Sequence, residues 1–276
     1  TGNKVLLGGN VRGVSNLALL NEVTEQSVAV IELDSWQLQG FGESKISPKI
    51  SVFTNFLDDH LNYYKNDREA YFADKVQIFL HQKAGDTFVT TPEVWARVEA
   101  YAKDCGVTFA QEVVLAEESL MPENWAMLLI GEHNRCNVAL ASAALRAAGL
   151  ADEDIRAGVE TFRGLPGRLE FLGERKGVKI YNDNNATTPD ATIAALRALG
   201  ADKKNVVLIV GGDEKNLDMS ELLGEIPRVC SKVVLFKERG TERIRDAVFA
   251  MKTDGIAAYE EEGLEATVRC AFAVAE

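Results

Sequence analysis

VKIYNDNNATTPDATIAALRALGADKKNVVLIVGGDEK, residues 178–215, reads as strand, polar loop, capped helix, strand and glycine-bearing loop in unbroken succession. The apolar run Val178–Tyr181 ends at Asn182-Asp183-Asn184-Asn185. Thr188 then offers an N-cap oxygen, Pro189 suits a first helical turn, and Gly200 closes the helix expected over Pro189–Leu199. Asn205–Val210 is a second continuous apolar strand, stopped by Gly211-Gly212. Strand, helix and strand at this spacing make a parallel crossover, which assigns the chain to the α/β class.

The same alternation extends in both directions. Downstream, Ser220–Ile226, Lys232–Phe236, Glu242–Met251 and Gly263–Ala275 read as helix, strand, helix and helix. The last helix has no return strand, so the chain reads as ending inside a fold. Upstream, Lys4–Leu7, Ser27–Leu33, Ile50–Phe56, Thr87–Thr90 and Trp125–Ile130 read as strands whose continuous apolar character predicts burial on both faces. Ser15–Val23, Asp67–Gln82, Pro92–Cys105 and His133–Ala148 read as the helices between them. The turn-rich Leu165-Pro166-Gly167 divides residues 1–166 from residues 167–276.

Composition narrows the function. The 276 residues carry 30 Lys plus Arg against 42 Asp plus Glu, a formal charge of −12. That field gives no general grip on nucleic acid or an anionic membrane, so any phosphate-bearing partner must be held locally. No apolar run reaches membrane-spanning length, and Thr1-Gly2-Asn3-Lys4 does not open a signal peptide. Cys105, Cys136, Cys230 and Cys270 lie far apart and read as reduced core thiols of a cytoplasmic protein.

Ligands of open α/β sheets bind beyond the carboxyl ends of the strands. Glu32, with Asp34-Ser35 after it, and Asp58-Asp59-His60 fall at two such ends. A carboxylate and a histidine there suit a hard divalent cation, or equally a helix cap and a loop histidine. Lys75 lies three after Phe72 and four before Phe79, on or beside an apolar face, where a lysine either snorkels or is chemically altered. Asn134 and Asn137 share the N-terminal face of a helix, as caps or as amides for a base or sugar. Arg168 offers a guanidinium for phosphate. Asp183 and Lys215 occupy the loops after two strands. The chain lacks the dipeptide Gly-Lys, hence any Gly-Lys-Ser/Thr phosphate loop, and lacks a Gly-x-Gly-x-x-Gly fingerprint after a strand.

Eight stretches in order, LGGN at 7–10, ELDSWQLQ at 32–39, TNFLDDH at 54–60, YFADKVQIF at 71–79, GEHNRCN at 131–137, LPGRLE at 165–170, YNDNNATT at 181–188 and GGDEK at 211–215, resemble the Mur ligase family of ATP-dependent peptide-bond-forming enzymes. ELDSWQLQ resembles the branch that adds D-glutamate to UDP-N-acetylmuramoyl-L-alanine in peptidoglycan precursor synthesis. The resemblance implies a parallel-sheet, three-layer central ATP-binding domain over 1–166 and a Rossmann-like C-terminal domain over 167–276, both incomplete.

It further implies that Glu32 and His60 help bind two magnesium ions and that Lys75 is carbamylated. Asn134 and Asn137 then match adenine-side positions, Arg168 a phosphate contact and Asp183 a ribose-binding acid. Asn10, Ser35 and Thr187 match substrate positions, and Lys215 the lysine that meets the amino acid's carboxylate. Three departures stand out. The family's phosphate loop is expected before Thr1, Asn184-Asn185 stand where the family commonly has Ser-Lys, and the family's last strand and its serine-containing loop near the amino acid site are expected beyond Glu276. A sister ligase using another amino acid and a non-catalytic nucleotide-binding module are the competing expectations.

Overall fold

A computed structural model describes residues 4–11, 13, 15–200 and 203–275. It is a mixed α/β structure with parallel sheets. It divides into two compact units. The first comprises Thr1–Phe56, Asp67–Leu120 and Ala139–Ile155; the second comprises Leu57–Asn66, Met121–Val138 and Arg156–Glu276.

In the first unit, β1 (Val5–Gly9) pairs in parallel with β2 (Val28–Glu32), Val5 opposite Val28 and Gly9 opposite Glu32. A separate parallel sheet runs β3 (Ile50–Phe53), β4 (Thr87–Thr90), β5 (Glu112–Leu115), with β4 central and buried along its length. The helix Pro92–Cys105 is specified at both ends: the Thr91 side chain accepts from Val94 N–H, Pro92 follows it, and Gly106 closes the helix in the left-handed conformation. Aromatic rings build this core. Phe79 stacks on Phe88 at 4.1 Å, and Phe72 packs edge-on to Phe56 at 4.9 Å.

The 72, 76, 79 stripe is buried as its spacing predicts. The expected Asp67–Gln82 helix is broken at Val76 into Arg68–Lys75 and Gln77–Leu80. Ser15–Val23 is likewise shorter, a helix Asn16–Leu19 continued by a tighter turn to Glu22. Burial on both faces does not hold for β1 and β2. Val5, Leu7, Val28, Val30 and Ile31 are exposed, because this sheet has two strands and little of the described chain covers them. The expected strand Trp125–Ile130 is irregular; Trp125 is buried, its N–H donating to the Pro122 carbonyl, and no strand among the described residues pairs with it.

In the second unit, β6 (Glu170–Arg175) and β7 (Val178–Asn182) form an antiparallel hairpin. Lys176 and Gly177 turn it, both at positive φ, the geometry whose twist matches a tight hairpin. Val178–Tyr181 is thus a strand as read, but its partner is β6 and the pairing is antiparallel. The parallel sheet is β8 (Val206–Val210), β9 (Cys230–Phe236) and β10 (Ala257–Glu261), in the order β10-β9-β8.

The helices Pro189–Gly200 and Ser220–Val229 pack on this sheet through Ile193, Leu196, Leu222, Ile226 and Val229. Gly200 ends its helix and also permits close packing, since a Cβ there would lie 2.2 Å from Val229 Cγ1. The expected Glu242–Met251 helix is two pieces, Arg239–Glu242 and Arg245–Ala250. Of the four cysteines only Cys230 is buried. Cys105 is exposed at the end of its helix, so the reading of all four as core thiols is corrected. No helix among the described residues is long and apolar enough to cross a membrane.

Candidate functional site

Two neighbouring loops of the second unit are knotted through Gly167. Its backbone N–H donates to the Glu170 carboxylate at 2.8 Å, and its carbonyl accepts from Asn185 N–H at 2.9 Å. Asn185 Nδ2 donates to the Pro166 carbonyl, and the Arg168 guanidinium donates to the Asn185 carbonyl. Leu169 N–H donates to Asp183 Oδ1 at 2.8 Å. Gly167 sits at φ +71°, and a Cβ there would lie 2.1 Å from Asn184 Oδ1, so the knot requires glycine. Asn185 therefore serves the loop itself, and the Asn184 side chain lies against Gly167.

The knot gathers Arg168, Asp183 and His133. Burial pushes the Asp183 carboxyl above its usual range, opposed by the Leu169 N–H, Arg168 and His133. Burial pushes the His133 imidazole below its usual value, opposed by Asp183. Gly131, at φ +94°, leaves room for the His133 ring, since a Cβ there would lie 2.7 Å from the imidazole and 2.8 Å from Ala198 Cβ. The helix Glu132–Ala147 begins here; Asn134 Nδ2 turns back to the Ile130 carbonyl at 2.8 Å, and Asn137 is exposed one turn on. A guanidinium, a carboxylate and helix N-terminal amides in one place suit a phosphorylated sugar. His133 is not among the site residues the sequence singles out, although it lies within GEHNRCN at 131–137.

A cleft of about 100 Å³ lies beyond β8, lined among others by Thr187, Gly211, Gly212, Lys215 and Gly240. Glycine lets the backbones converge: Gly240 N–H donates to the Gly212 carbonyl at 3.1 Å, and a Cβ on Gly240 would meet that oxygen at 2.7 Å. Two acids at the cleft are matched by arginines, Glu214 by Arg243 at 2.7 Å and Asp213 by Arg239 at 3.3 Å. Lys215 is paired with Asp59, Nζ to Oδ1 at 3.0 Å. Asp59 Oδ1 also accepts from the His60 backbone N–H at 2.8 Å, and Oδ2 lies 3.7 Å from His60 Nε2. The hydroxyl of Thr187 and the ammonium of Lys215 in one small cleft suit a carboxylate-bearing molecule of amino-acid size.

Glu32 and Lys75 belong to the first unit and His60 to the second. Glu32 is the exposed last residue of β2, and its carbonyl accepts from Asn10 N–H at 2.8 Å. Gly9 permits that approach, since a Cβ at its φ of +93° would lie 1.8 Å from the Glu32 carbonyl oxygen. Asn10 is exposed beside it. Ser35 is fully buried at the start of the helix Ser35–Ser44, with no partner for its hydroxyl among the described residues. Lys75 ends its helix half-buried, Nζ 5.6 Å from the Tyr71 ring centroid. Among the described residues no group of three His, Cys, Asp or Glu forms a metal cage.

Residues 10–112 match the Mur ligase middle domain, and residues 167–276 match the Mur ligase glutamate ligase domain. The UDP-N-acetylmuramoylalanine–D-glutamate ligase of Roseiflexus sp. (strain RS-1) is 34% identical over 269 residues, covering 88% of this chain and 57% of that protein. The enzyme of the same name from Leuconostoc citreum (strain KM20) is 30% identical, covering 86% of this chain and 54% of that protein. The chain thus spans about half the length of these curated relatives. Among solved structures, MurF from Acinetobacter baumannii superposes with a TM-score of 0.65 at 17% identity, over 99% of this chain and 76% of that one. Mycobacterium tuberculosis folylpolyglutamate synthase, complexed with ADP and AMPPCP, gives 0.65 at 21% identity, over 93% and 63%. At these identities the two structures show the shared fold.

Proposed function

The chain belongs to the Mur ligase family, and on that premise we propose that it is the catalytic portion of a ligase that uses ATP to join D-glutamate to UDP-N-acetylmuramoyl-L-alanine. The observation that carries the reading is the pair of strand-end loops of the second unit. One is tied to the Arg168-Leu169 turn, Arg168 donating to the Asn185 carbonyl and Leu169 N–H to Asp183, and the next brings Lys215 into the cleft with Thr187. In this reading residues 1–166 are the central ATP-binding domain and residues 167–276 the amino-acid-binding domain. The enzyme acts in the cytoplasm, where nucleotide-linked cell-wall precursors are assembled for growth and division.

The substrate carboxylate attacks the γ-phosphorus of ATP and ADP leaves; the amine of D-glutamate then attacks the acyl carbon and phosphate leaves. Arg168 pairs with phosphate oxygens as their charge redistributes. Asp183 keeps one oxygen on Leu169 N–H and offers the other to the ribose hydroxyls. Asn134 and Asn137 hydrogen-bond the adenine side. Lys215 and Thr187 hold the carboxylate of the amino acid, which fixes its amine for attack. Asn10 contacts the muramoyl-peptide substrate, and the buried Ser35 supports the same edge beside Glu32.

The donor types named above, carboxylate, imidazole and carbamate oxygen, are of the kind magnesium accepts. Mg²⁺ takes one or two carboxylates and fills its shell with waters and substrate phosphates, which needs no cage of protein ligands. Glu32 and a Lys75 carbamate are the oxygen donors the first unit would offer such an ion and His60 the imidazole the second would offer, and the metal would offset charge on the transferring phosphoryl group. Carbamylation replaces the ammonium of a half-buried lysine by an anionic oxygen donor, reversing its sign without changing its backbone.

The test is phosphate release from ATP by the protein that carries this chain, with the muramoyl-alanine nucleotide and a panel of amino acids. Release is expected with D-glutamate. Release with a different amino acid only would support a sister ligase, and nucleotide binding without turnover would support a binding module.

A further inference from the structure

Asp59 and Lys215 are far apart in sequence, yet their side chains meet at 3.0 Å in the second unit. Asp59 is itself anchored. Its Oδ1 accepts from the His60 N–H at 2.8 Å, which pins the carboxylate to a backbone turned sharply by His60 at φ +56°. Its side chain is 19% exposed, against 37% for Lys215, so the acid is the better-buried and more fixed partner. The acids that line the cleft, Asp213 and Glu214, are matched by arginines.

We propose that Asp59 is the positioning residue of Lys215, holding its ammonium at the cleft so that the carboxylate of the incoming amino acid meets an oriented donor. This rests on Lys215 being that carboxylate's partner. A lysine ammonium carries three N–H donors on a flexible four-carbon stem. One donor spent on Asp59 fixes the stem and leaves two for a ligand. Asp59 is thus a pivot for Lys215, and the opposite arrangement, in which Asp59 merely occupies the ligand's place, predicts the opposite effect of its removal.

The experiment measures acetylation of individual lysines by limiting acetic anhydride, read by peptide mass spectrometry, in the unsubstituted chain, Asp59→Asn and Asp59→Glu. The ion pair slows reaction at Lys215, so Asp59→Asn raises its rate about threefold, the size expected for a partly exposed pair, while Lys237 is unchanged. D-glutamate protects Lys215, and half-protection needs about threefold more of it in Asp59→Asn. Asp59→Glu, which keeps the charge, restores both values and separates loss of the pair from loss of the fold.

An unchanged Lys215 rate in Asp59→Asn overturns the proposal, as does half-protection at equal or lower D-glutamate. Absence of protection in the unsubstituted chain contradicts the amino-acid site itself. That failure is seen separately, because the first comparison uses no ligand.

Discussion

The backbone N–H of Leu169 donates to Asp183 Oδ1 at 2.8 Å, joining the turn before β6 to the loop after β7. Leu169 is held at φ +46° to make this bond, an uncommon conformation for a leucine. The knot around it sets where Arg168 and Asp183 stand.

Asp183 gives the second unit a pH signature. Burial raises its carboxyl above the unfolded value, so in the window between the two the folded chain holds a proton that the unfolded chain has released. Stability contributed by this group is present below the unfolded value and lost as pH rises through the folded one. Asp183→Asn, which keeps an acceptor for Leu169, should therefore gain on the unsubstituted chain as pH rises above the ordinary carboxylate range. Urea midpoints at several pH values check this.

His133 acts in a different window. Burial lowers its folded value, so the unfolded chain takes up the proton first as pH falls. Stability should fall as pH drops from the ordinary histidine value through the lowered folded one, and His133→Gln should flatten that slope. Nuclear magnetic resonance titration of the His133 ring gives the same direction independently.

Gly167→Ala should lower stability by about 1–3 kcal/mol, combining left-handed strain with displacement of Asn184. Gly149→Ala, at φ +83° with nothing within 4 Å of its Cβ, carries strain alone and should fall at about 1 kcal/mol. Thermal denaturation compares the two. Nucleotide binding should weaken in the first and be kept in the second.

Part of this architecture was legible in the sequence. Thr188, Pro189 and Gly200 marked one helix by local chemistry alone, and the structure keeps the cap, Ala191 N–H donating to Thr188 Oγ1 at 3.3 Å. Phe72, Val76 and Phe79 gave a core face by spacing. β6 and β10 were missed because EFLGER and AAYEE carry charge and lack a continuous apolar run. Trp125–Ile130 was over-read because apolar character alone does not supply a paired neighbour. Thr187 and Lys215 were each named from the sequence, but their sharing one cleft is a tertiary fact. The contact between Asp59 and Lys215 is likewise tertiary, with no local signal.

Burial pushes the Cys230 thiol up to about 12, with the Glu225 charge adding to the effect. In the native chain Cys230 should resist a thiol reagent, and the exposed Cys105 should react first. Mass-spectrometric mapping after brief alkylation reads this directly. Reaction at Cys230 should rise only with unfolding.

Carbamylation of Lys75 has its own readout. Isotopically labelled bicarbonate should give one carbamate carbon resonance at neutral or alkaline pH that is absent in Lys75→Arg. Acidification, which reverses carbamylation, should remove the signal. Activity of Lys75→Arg should fall, because arginine cannot form the carbamate.

The most direct measurement is the mass of the nucleotide product formed by the protein carrying this chain from ATP, UDP-N-acetylmuramoyl-L-alanine and either D- or L-glutamate. A ligase of this specificity gives a gain of one glutamyl residue with the D enantiomer, little with the L, and loss of the product in Lys215→Ala. No glutamyl product with D-glutamate, or equal product from Lys215→Ala, would contradict it.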